Sequence, residues 1–401
     1  MSTPTDVVVT DFDHHAAEFA ERPFEVLADL RTQAPIAWST AHDGFWVITD
    51  HEHVVEGLAD FGTFSSASGP AIPANPFGAR HIPVAFDPPD HAAYRKVLNV
   101  WFSKAEISRR EPQIKAMVEG FVGDLAERGS WDFVADLANV SPGAVSLTIL
   151  GWDPAQRVEL LNVMSVSLRN QANPDPVVKE ENAQRNRWFR EQILREANDR
   201  RAAPRDDLMT VLATEPIVGG KQLTDEELAD MVVLLILAGF HTTSGAFTAL
   251  MVHMEQHPEV KQRLDQDRDL IPAAIEEIIR IYSPATAHAR RVTENTELGG
   301  VEMKKGDWTL FVNMAANHDP EAFPDPERVD LDRDRSKSMA FGWGVHRCLG
   351  LHLARLILRL EVEACLDLIP DYRIDLENTV LSDHMGLGYF YHSVPAYLPG
   401  A

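Results

Sequence analysis

Cys348 stands in the segment FGWGVHRCLG, residues 341–350, among three glycines and immediately ahead of a long apolar stretch. If a helix begins just after it, the thiol lies at the positive end of the helix dipole, near free backbone N–H groups, and both favour a thiolate. Such a sulfur can be a buried structural thiol, a nucleophile or a metal ligand. The other cysteine, Cys365, falls within a predicted helix among apolar neighbours, which is typical of a core position.

The surroundings of Cys348 favour the metal-ligand interpretation. A nucleophilic thiolate needs a histidine base beside it and an oxyanion hole, and His346 is too close along the chain to serve as that base. The two cysteines match no zinc or redox spacing, and one cysteine alone cannot hold zinc. One thiolate is enough for a haem iron, because the porphyrin supplies the other ligands. The flanking glycines let the backbone approach such a flat group.

This segment resembles the haem loop of the cytochrome P-450 superfamily, whose pattern is FxxGxxxCxG. The matching residues are Phe341, Gly342, Gly344, His346, Cys348 and Gly350, of which Gly342 and His346 belong to the longer form common in bacterial members. The resemblance extends over roughly residues 20–398. It implies a single domain, residues 1–401, that is mainly α with a minor β part. It also implies haem b (iron protoporphyrin IX), held between the long central helix and the helix that follows the cysteine loop.

The longest predicted helix begins after Thr224 and ends near Gln256, just before His257-Pro258. Thr224 and Glu227 have the spacing of a capping box. The helix would be about 50 Å long, and its apolar centre should be buried. Other predicted elements are helices at about 272–282 and 349–368, strands within 289–301 and 308–312, and a mostly helical stretch at 104–215 with breaks near Ser141-Pro142, Asp153-Pro154 and Asn173–Pro176.

The middle of the long helix contains residues that weaken a helix locally, in the order Ala238-Gly239-Phe240-His241-Thr242. A threonine here can bond back to the preceding turn and bend the helix. The family resemblance assigns this place to oxygen chemistry. It implies that Thr242 supports proton delivery and that the small residues Ala238 and Gly239 leave room above the haem.

His241 departs from the family pattern, which has an acid before the threonine. Sterol demethylases of the superfamily resemble the chain at this position, although one residue does not assign that activity. Because histidine exchanges protons near neutral pH, His241 can act as a relay. The alternative is that its ring faces away from the iron and packs against another helix.

Cationic residues follow the family's pattern for the haem propionates. His91 and Arg95 are four residues apart, on one face of a predicted helix, and resemble the HxxxR motif. Arg290 and His346 resemble two further propionate partners, although Arg291 could be mistaken for Arg290. Burying two carboxylates requires partners of this kind.

A separate acid–base pair resembles the family's ExxR motif. Glu277 and Arg280 lie on one face of a predicted helix, and the resemblance adds Arg328 as the third member of the network. The implied role is structural, since a buried charge network would support the haem loop.

The composition limits the partners. The chain has 37 Lys+Arg against 61 Asp+Glu, a net charge of −24, which argues against binding nucleic acid or anionic membranes. The N-terminus shows no signal peptide, and the most apolar run, Met231–Phe240, is too short to span a bilayer. We therefore expect a cytoplasmic protein, and the family default is a monomer.

The resemblance implies a monooxygenase that uses O2 and electrons from a ferredoxin and its reductase. The ferredoxin would dock near Cys348, where Arg347, His346 and Arg355 could supply positive charge. A small hydrophobic substrate is expected from an apolar lining that would include Phe77, Ile82, Val84, Leu237, Phe240, Ala287, Met385 and Leu387. Two alternatives are peroxide-driven or otherwise atypical haem-thiolate chemistry, and a haem protein that binds ligands without turnover.

Overall fold

The structure is a computed structural model, and it describes residues 7–73, 80–153, 156–169, 175–386 and 388–400. Two residues expected to line the substrate cavity, Phe77 and Leu387, lie outside these ranges. The described part is mainly helical, with small sheets.

The helices account for most of the described residues. They are α1 (Ala17–Glu21), α2 (Pro23–Gln33), α3 (His51–Ala59), α4 (Asp90–Trp101), α5 (Lys104–Arg128), α6 (Val140–Ile149), α7 (Arg157–Arg169), α8 (Pro176–Ala202), α9 (Leu208–Thr214), α10 (Asp225–Gln256), α11 (Pro258–Gln266), α12 (Ile271–Tyr282), α13 (Asn313–Asn317) and α14 (Leu351–Leu368). A single π-helical turn, Val134–Ala138, precedes α6.

The strands are short. They are β1 (Val9–Thr10), β2 (Ile36–Ser39), β3 (Phe45–Ile48), β4 (Phe64–Ser65), β5 (Ser130–Asp132), β6 (His288–Val292), β7 (Thr296–Leu298), β8 (Val301–Met303), β9 (Trp308–Phe311), β10 (Arg373–Ile374), β11 (Val380–Leu381), β12 (Tyr391–Ser393) and β13 (Pro395–Tyr397). The largest sheet has the order β1-β2-β3-β9-β6-β4. Strand β9 lies parallel to β3 and antiparallel to β6, which brings chain segments more than 200 residues apart into one sheet.

Helix α10 crosses the molecule and packs against α6, α12 and α14. Its capping box is complete, because Thr224 and Glu227 each accept a hydrogen bond from the other's backbone N–H. Within the described residues it is the one helix long and apolar enough to cross a membrane. More than half of its most apolar window is buried inside the protein, as in the core helix of a folded domain.

The expected elements are confirmed, with small corrections at their ends. The break expected near Ser141-Pro142 lies at Asn139, between the π-helical turn and α6. Pro142 is the third residue of α6, where a missing N–H costs nothing because the first turn leaves it unpaired. Pro176 likewise opens α8. Helix α14 begins at Leu351 rather than Leu349, with Gly350 as its N-cap. Of the expected break at Asp153-Pro154, the proline lies outside the described residues.

Candidate active site

The loop before α14 places Cys348 by its backbone geometry. The N–H of Cys348 donates to the carbonyl oxygen of Phe341 at 2.8 Å, which closes the loop on itself. Gly342 and Gly344 have φ of +67° and +64°, a region that side chains rarely adopt. A Cβ on Gly344 would also lie 2.5 Å from the carbonyl oxygen of Leu58, so only glycine fits there.

The Cys348 thiol is partly exposed and closely surrounded by protein. Burial raises its pKa, while the backbone N–H of Gly350 and the charges of Arg95 and Arg355 lower it without compensating. The sequence-based expectation of a lowered pKa is therefore wrong for the free thiol, because desolvation outweighs the helix end. Metal coordination reverses this balance, since a coordinated thiol is deprotonated outright.

One face of α10 is open at its centre, although most of the surrounding helix is buried. Ala238 is exposed, and His241 and Thr242, which lie three and four residues further along and therefore flank the same face, are partly exposed. The Thr242 hydroxyl donates to the carbonyl oxygen of Ala238 at 2.9 Å, the back-bond expected for a threonine inside a helix. The open face is therefore a cavity wall with one hydroxyl in it.

Gly239 has a different role from the one expected. A Cβ at this position would lie 3.1 Å from the hydroxyl oxygen of Ser146 on α6. Gly239 therefore turns toward α6, and its lack of a side chain allows close packing of α6 against α10 rather than leaving room in the cavity. Ala238 alone of the two borders the open face.

His241 lies at the edge of this face with its ring between two aromatic side chains. The ring centroid is 5.1 Å from that of Phe240 and 5.5 Å from that of Phe390. Its Nε2 is buried without a hydrogen-bond partner. Burial, with a smaller contribution from His392, lowers the pKa of His241 to about 4, so the ring is neutral at physiological pH.

Four predicted propionate partners meet between α4, β6 and the cysteine loop. The rings of His91 and His346 lie 4.2 Å apart, centroid to centroid. Arg95 donates to the carbonyl oxygen of Arg347 at 2.9 Å, which fastens α4 to the loop beside Cys348. Arg290 is buried and donates to the carbonyl oxygen of Ala289 at 2.8 Å. The structure thus brings together residues that are up to 255 positions apart in the chain.

Strand alternation distinguishes Arg290 from its neighbour. Arg290 is buried opposite Thr309 of β9, whereas Arg291 is partly exposed, with its guanidinium group 4.7 Å from the ring centroid of Trp308. Successive side chains on a strand point to opposite faces. Arg290 is therefore the arginine that belongs to the buried cluster.

The buried cluster has an excess of positive groups. Burial lowers the pKa of the Arg290 guanidinium to about 10, with Asp87 opposing the change. Burial, and to a smaller extent the charge of Arg290, lowers the pKa of His346 to about 2. Burial, and to a smaller extent the charge of Arg95, lowers the pKa of His91 to about 4. These shifts describe a site that would gain from a buried anion.

The residues present fit a haem. His346 keeps a buried Nδ1 without a partner, beside the buried cation Arg290, as carboxylate groups of a ligand would require. Cys348 offers a sulfur to iron, and the exposed Ala238 leaves space beside α10. This arrangement is that of a haem-thiolate site.

Two neighbours of this cluster are missing from the sequence-based set. The hydroxyl of Ser66 lies 3.1 Å from Nε2 of His346, and Asp87 accepts from the backbone N–H of Ser66 at 2.9 Å. His288 lies beside Gly342, and burial lowers its pKa to about 3. His288 was detectable, because it precedes Arg290 by two residues on a strand and so shares its face. Nothing in the local sequence marks Ser66.

The Glu277–Arg280 pair is fully buried, and the structure corrects its third member. Arg280 makes two hydrogen bonds to the Glu277 carboxylate, at 2.9 and 3.0 Å. The side chain that completes the network is that of Arg333, whose Nε lies 3.1 Å from Oε2 of Glu277. Arg328 is exposed and contributes only its carbonyl oxygen, which accepts from Arg280 at 3.4 Å and from Arg333 at 3.2 Å. The expectation that the Arg328 side chain completes the network is therefore wrong, since only its backbone carbonyl takes part.

Comparison with known proteins agrees with this site. The sequence model of the Cytochrome P450 family matches residues 174–368. A steroid C26-monooxygenase of Mycobacterium tuberculosis is 30% identical over 388 residues, which cover 95% of this chain and 94% of that relative. Cyclomarin C epoxidase CymV of Salinispora arenicola is 30% identical over 348 residues, covering 85% and 87%.

Solved structures give the same result. Cytochrome P450 CYP268A2 of Mycobacterium marinum, in complex with pseudoionone, superposes with a TM-score of 0.89 at 26% identity, over 98% of this chain and all of the other. The fold and the site define a haem-thiolate protein. The chain belongs to the cytochrome P450 family, and it is a monooxygenase of the bacterial type.

Proposed function

We propose that this P450 inserts one oxygen atom from O2 into a small hydrophobic organic substrate, with electrons delivered by a separate ferredoxin and its reductase. The observation that supports this best is the open face at the centre of α10, a helix that is otherwise mostly buried. The Thr242 hydroxyl lies on this face and bonds to the carbonyl oxygen of Ala238. We further propose that residues 1–401 form one domain that acts as a cytoplasmic monomer.

In this proposal the haem is haem b, and it supplies oxygen activation when bound. Cys348 would hold the iron as a thiolate, a ligand whose electron donation would favour that chemistry. Arg290, Arg95, His91 and His346 would hold the propionates by charge-assisted hydrogen bonds. The protein excludes water and orients the substrate against α10.

Proton supply falls to the two polar residues of the open face. Thr242 donates to Ala238 and so keeps its oxygen lone pairs free to accept a hydrogen bond. His241, neutral and with an unpartnered Nε2, can donate or accept one proton beside it. The unpartnered Nε2 supports the relay interpretation, whereas the lowered pKa and the contacts of the ring with Phe240 and Phe390 support the packing alternative.

The expected lining supports a hydrophobic substrate. Val84, Leu237 and Ala287 each keep part of their surface exposed, while Ile82, Phe240 and Met385 are fully buried. One relative is named a steroid C26-monooxygenase, and one similar structure contains bound pseudoionone. Steroids and pseudoionone are both hydrophobic compounds. We therefore place the substrate in the class of hydrophobic organic compounds.

The structure alters the set of residues that we propose for the ferredoxin docking surface. Arg355 is paired with Glu276 at 2.6 and 3.0 Å, and His346 is turned inward toward Ser66. Arg347 remains exposed, and the charges of Lys104 and Arg347 act on nearby His352. We propose that Arg347, Lys104 and His352 face the acidic ferredoxin.

The carbon monoxide difference spectrum of the reduced protein tests the thiolate assignment. We expect the band of a thiolate-ligated haem, and its loss in Cys348→His with haem retained; a histidine-type spectrum in the unchanged protein would contradict the proposal. Substrate-dependent NADH oxidation with a ferredoxin and reductase, compared with turnover driven by hydrogen peroxide alone, separates the proposed activity from the peroxide-driven alternative. Absence of oxygen uptake under both conditions would favour the ligand-binding alternative.

A further inference from the structure

Three histidines and an aspartate come together away from the haem site. His14 and His15 lie between β1 and α1, and His42 lies in the turn between β2 and β3. The ring of His14 is 4.1 Å from that of His15 and 5.7 Å from that of His42, centroid to centroid. One ring nitrogen of each lies within 4.8 Å of those of the other two.

Hydrogen bonds fix two of these rings on one backbone oxygen. Nε2 of His14 and Nε2 of His15 lie 2.9 and 2.8 Å from the carbonyl oxygen of Ile72. A carbonyl oxygen can only accept, so each of these nitrogens donates. In a neutral imidazole the other nitrogen, Nδ1, then carries a free lone pair.

The lone pair on His14 has no partner. His14 is 4% exposed, and its Nδ1 is buried without a hydrogen bond, which is costly for a polar atom. The nearest acid is Asp13, whose Oδ1 lies 3.9 Å from this Nδ1 and 2.8 Å from Nε2 of His42. A cation at this point would satisfy the buried nitrogen and meet a carboxylate oxygen as well.

We propose that His14, His15 and His42 form a binding site for a divalent transition-metal ion of the zinc class, with Asp13 beside it as a hydrogen-bond acceptor. Neutral imidazole is a ligand that Zn²⁺ prefers, and three histidines leave the fourth position of a four-coordinate site to a solvent molecule. Metal-bound histidines usually donate their other N–H to a backbone carbonyl or carboxylate, as these rings already do with Ile72 and Asp13.

Metal binding requires a small contraction of the cluster. Zinc–nitrogen bonds of about 2.0–2.1 Å place neighbouring ligands about 3.3 Å apart, closer than the present 4.8 Å limit. His42 is the member with freedom to move, because its side chain is 24% exposed and lies in a turn. The ring of His15, by contrast, packs against Gly386, where a Cβ would lie 2.0 Å from its Nδ1.

The site would join three segments that are distant in the chain: the stretch after β1, the β2–β3 turn and the segment at Ile72. The last of these lies ten residues before Ile82, one of the residues expected to line the substrate cavity. This site is separate from the haem site, and zinc binding there does not depend on the proposed reaction.

Zinc titration of the haem-loaded protein tests the site. After chelator treatment and dialysis, Zn²⁺ is added in competition with a chromophoric chelator, and bound zinc and iron are counted by elemental mass spectrometry. We expect about one zinc per protein in the unchanged chain, lost in His42→Gln and in His15→Gln. His257→Gln, which removes an exposed histidine elsewhere, is the matched control and should keep the zinc.

Two further measurements protect the test against misfolding and adventitious binding. Zinc should raise the Tm of the unchanged protein and of His257→Gln, and leave that of His42→Gln unchanged, while iron content and the haem spectrum stay constant. Hydrogen exchange should slow at residues 13–15, 41–44 and 70–73 together. No zinc uptake, or equal uptake by His42→Gln, would overturn the proposal.

Discussion

Nε of Arg333 lies 3.1 Å from Oε2 of Glu277, the same oxygen that accepts from Arg280 at 3.0 Å. The Glu277 side chain is fully buried, and that of Arg333 is 9% exposed. Arg333 also donates to the carbonyl oxygens of Pro324 and Asp325, at 2.6 and 2.9 Å. One arginine therefore ties α12 to the segment that precedes the cysteine loop.

Replacing Arg333 should destabilise the protein strongly. Arg333→Ala leaves a buried carboxylate with one fewer cation, a change that costs about 3–5 kcal/mol at buried ion pairs. We expect a loss near the lower value, since Arg280 remains. Arg328→Ala is the matched control, with an expected change within about 0.5 kcal/mol because its exposed side chain is not used. Urea unfolding of both variants measures the difference, and equal losses would contradict the assignment.

Arg290 and Arg291 should differ in haem retention. Loss of one charge-assisted hydrogen bond to a propionate is worth about 1.5–3 kcal/mol, or roughly a 10- to 100-fold faster haem loss in Arg290→Gln. Arg291→Gln should lose haem at the normal rate, because its side chain packs on Trp308 instead. The rate of haem transfer to an excess of a scavenging globin measures this. Similar rates for the two variants would place the propionate elsewhere.

His241 can be tested with substitutions that separate its ring from its nitrogens. His241→Phe keeps the aromatic contacts with Phe240 and Phe390, and His241→Asp restores the acid usual in the family. If His241 relays protons, we expect His241→Phe to lower coupled turnover by roughly 10- to 100-fold and His241→Asp to recover part of it. Product formed per oxygen consumed is the measurement. Normal coupling in His241→Phe would establish the packing role.

The pH profile of His241 gives a second expectation. Its pKa of about 4 means that the neutral ring persists throughout the physiological range. The pH profiles of turnover for the unchanged protein and for His241→Asn should therefore have the same shape between pH 6 and pH 8. An inflection near pH 6.5 that this substitution removes would mean that the ring is hydrated in the working enzyme.

His318 should contribute to instability in acid. Its ring stacks on Phe24, and its Nδ1 donates to the carbonyl oxygen of Met314 at 2.8 Å. The other nitrogen, Nε2, is buried without a partner, and burial lowers the pKa of His318 from 6.5 to about 4. The unfolded chain therefore binds a proton below about pH 6.5 that the folded chain binds only near pH 4. The stability that the neutral ring provides is complete above pH 6.5 and falls by roughly 3 kcal/mol as the pH drops to 4.

The matching experiment is denaturant unfolding at pH 7 and pH 4.5 for the unchanged protein and His318→Gln. We expect the difference in unfolding free energy between the two pH values to be smaller in the variant. An unaltered pH dependence in His318→Gln would show that its ring is protonated in the folded state.

The sequence alone predicted features that depend on short-range spacing. The haem loop, the capping box of α10, the limits of α12 and the His91–Arg95 pair each involve residues within one segment of at most 12 residues. Local backbone geometry and helix periodicity decide such features, and both can be read directly from residue order. The family resemblance then supplied the fold.

Tertiary structure decided which distant side chains share a site. It replaced Arg328 by Arg333, turned Gly239 toward α6, engaged Arg355 with Glu276 and added Ser66 beside His346. It also assembled His14, His15 and His42 from two segments that carry no recognisable motif. Side-chain direction and burial depend on packing between elements far apart in the chain. Desolvation follows from the same packing, which is why the free Cys348 thiol has a raised pKa despite its place before a helix.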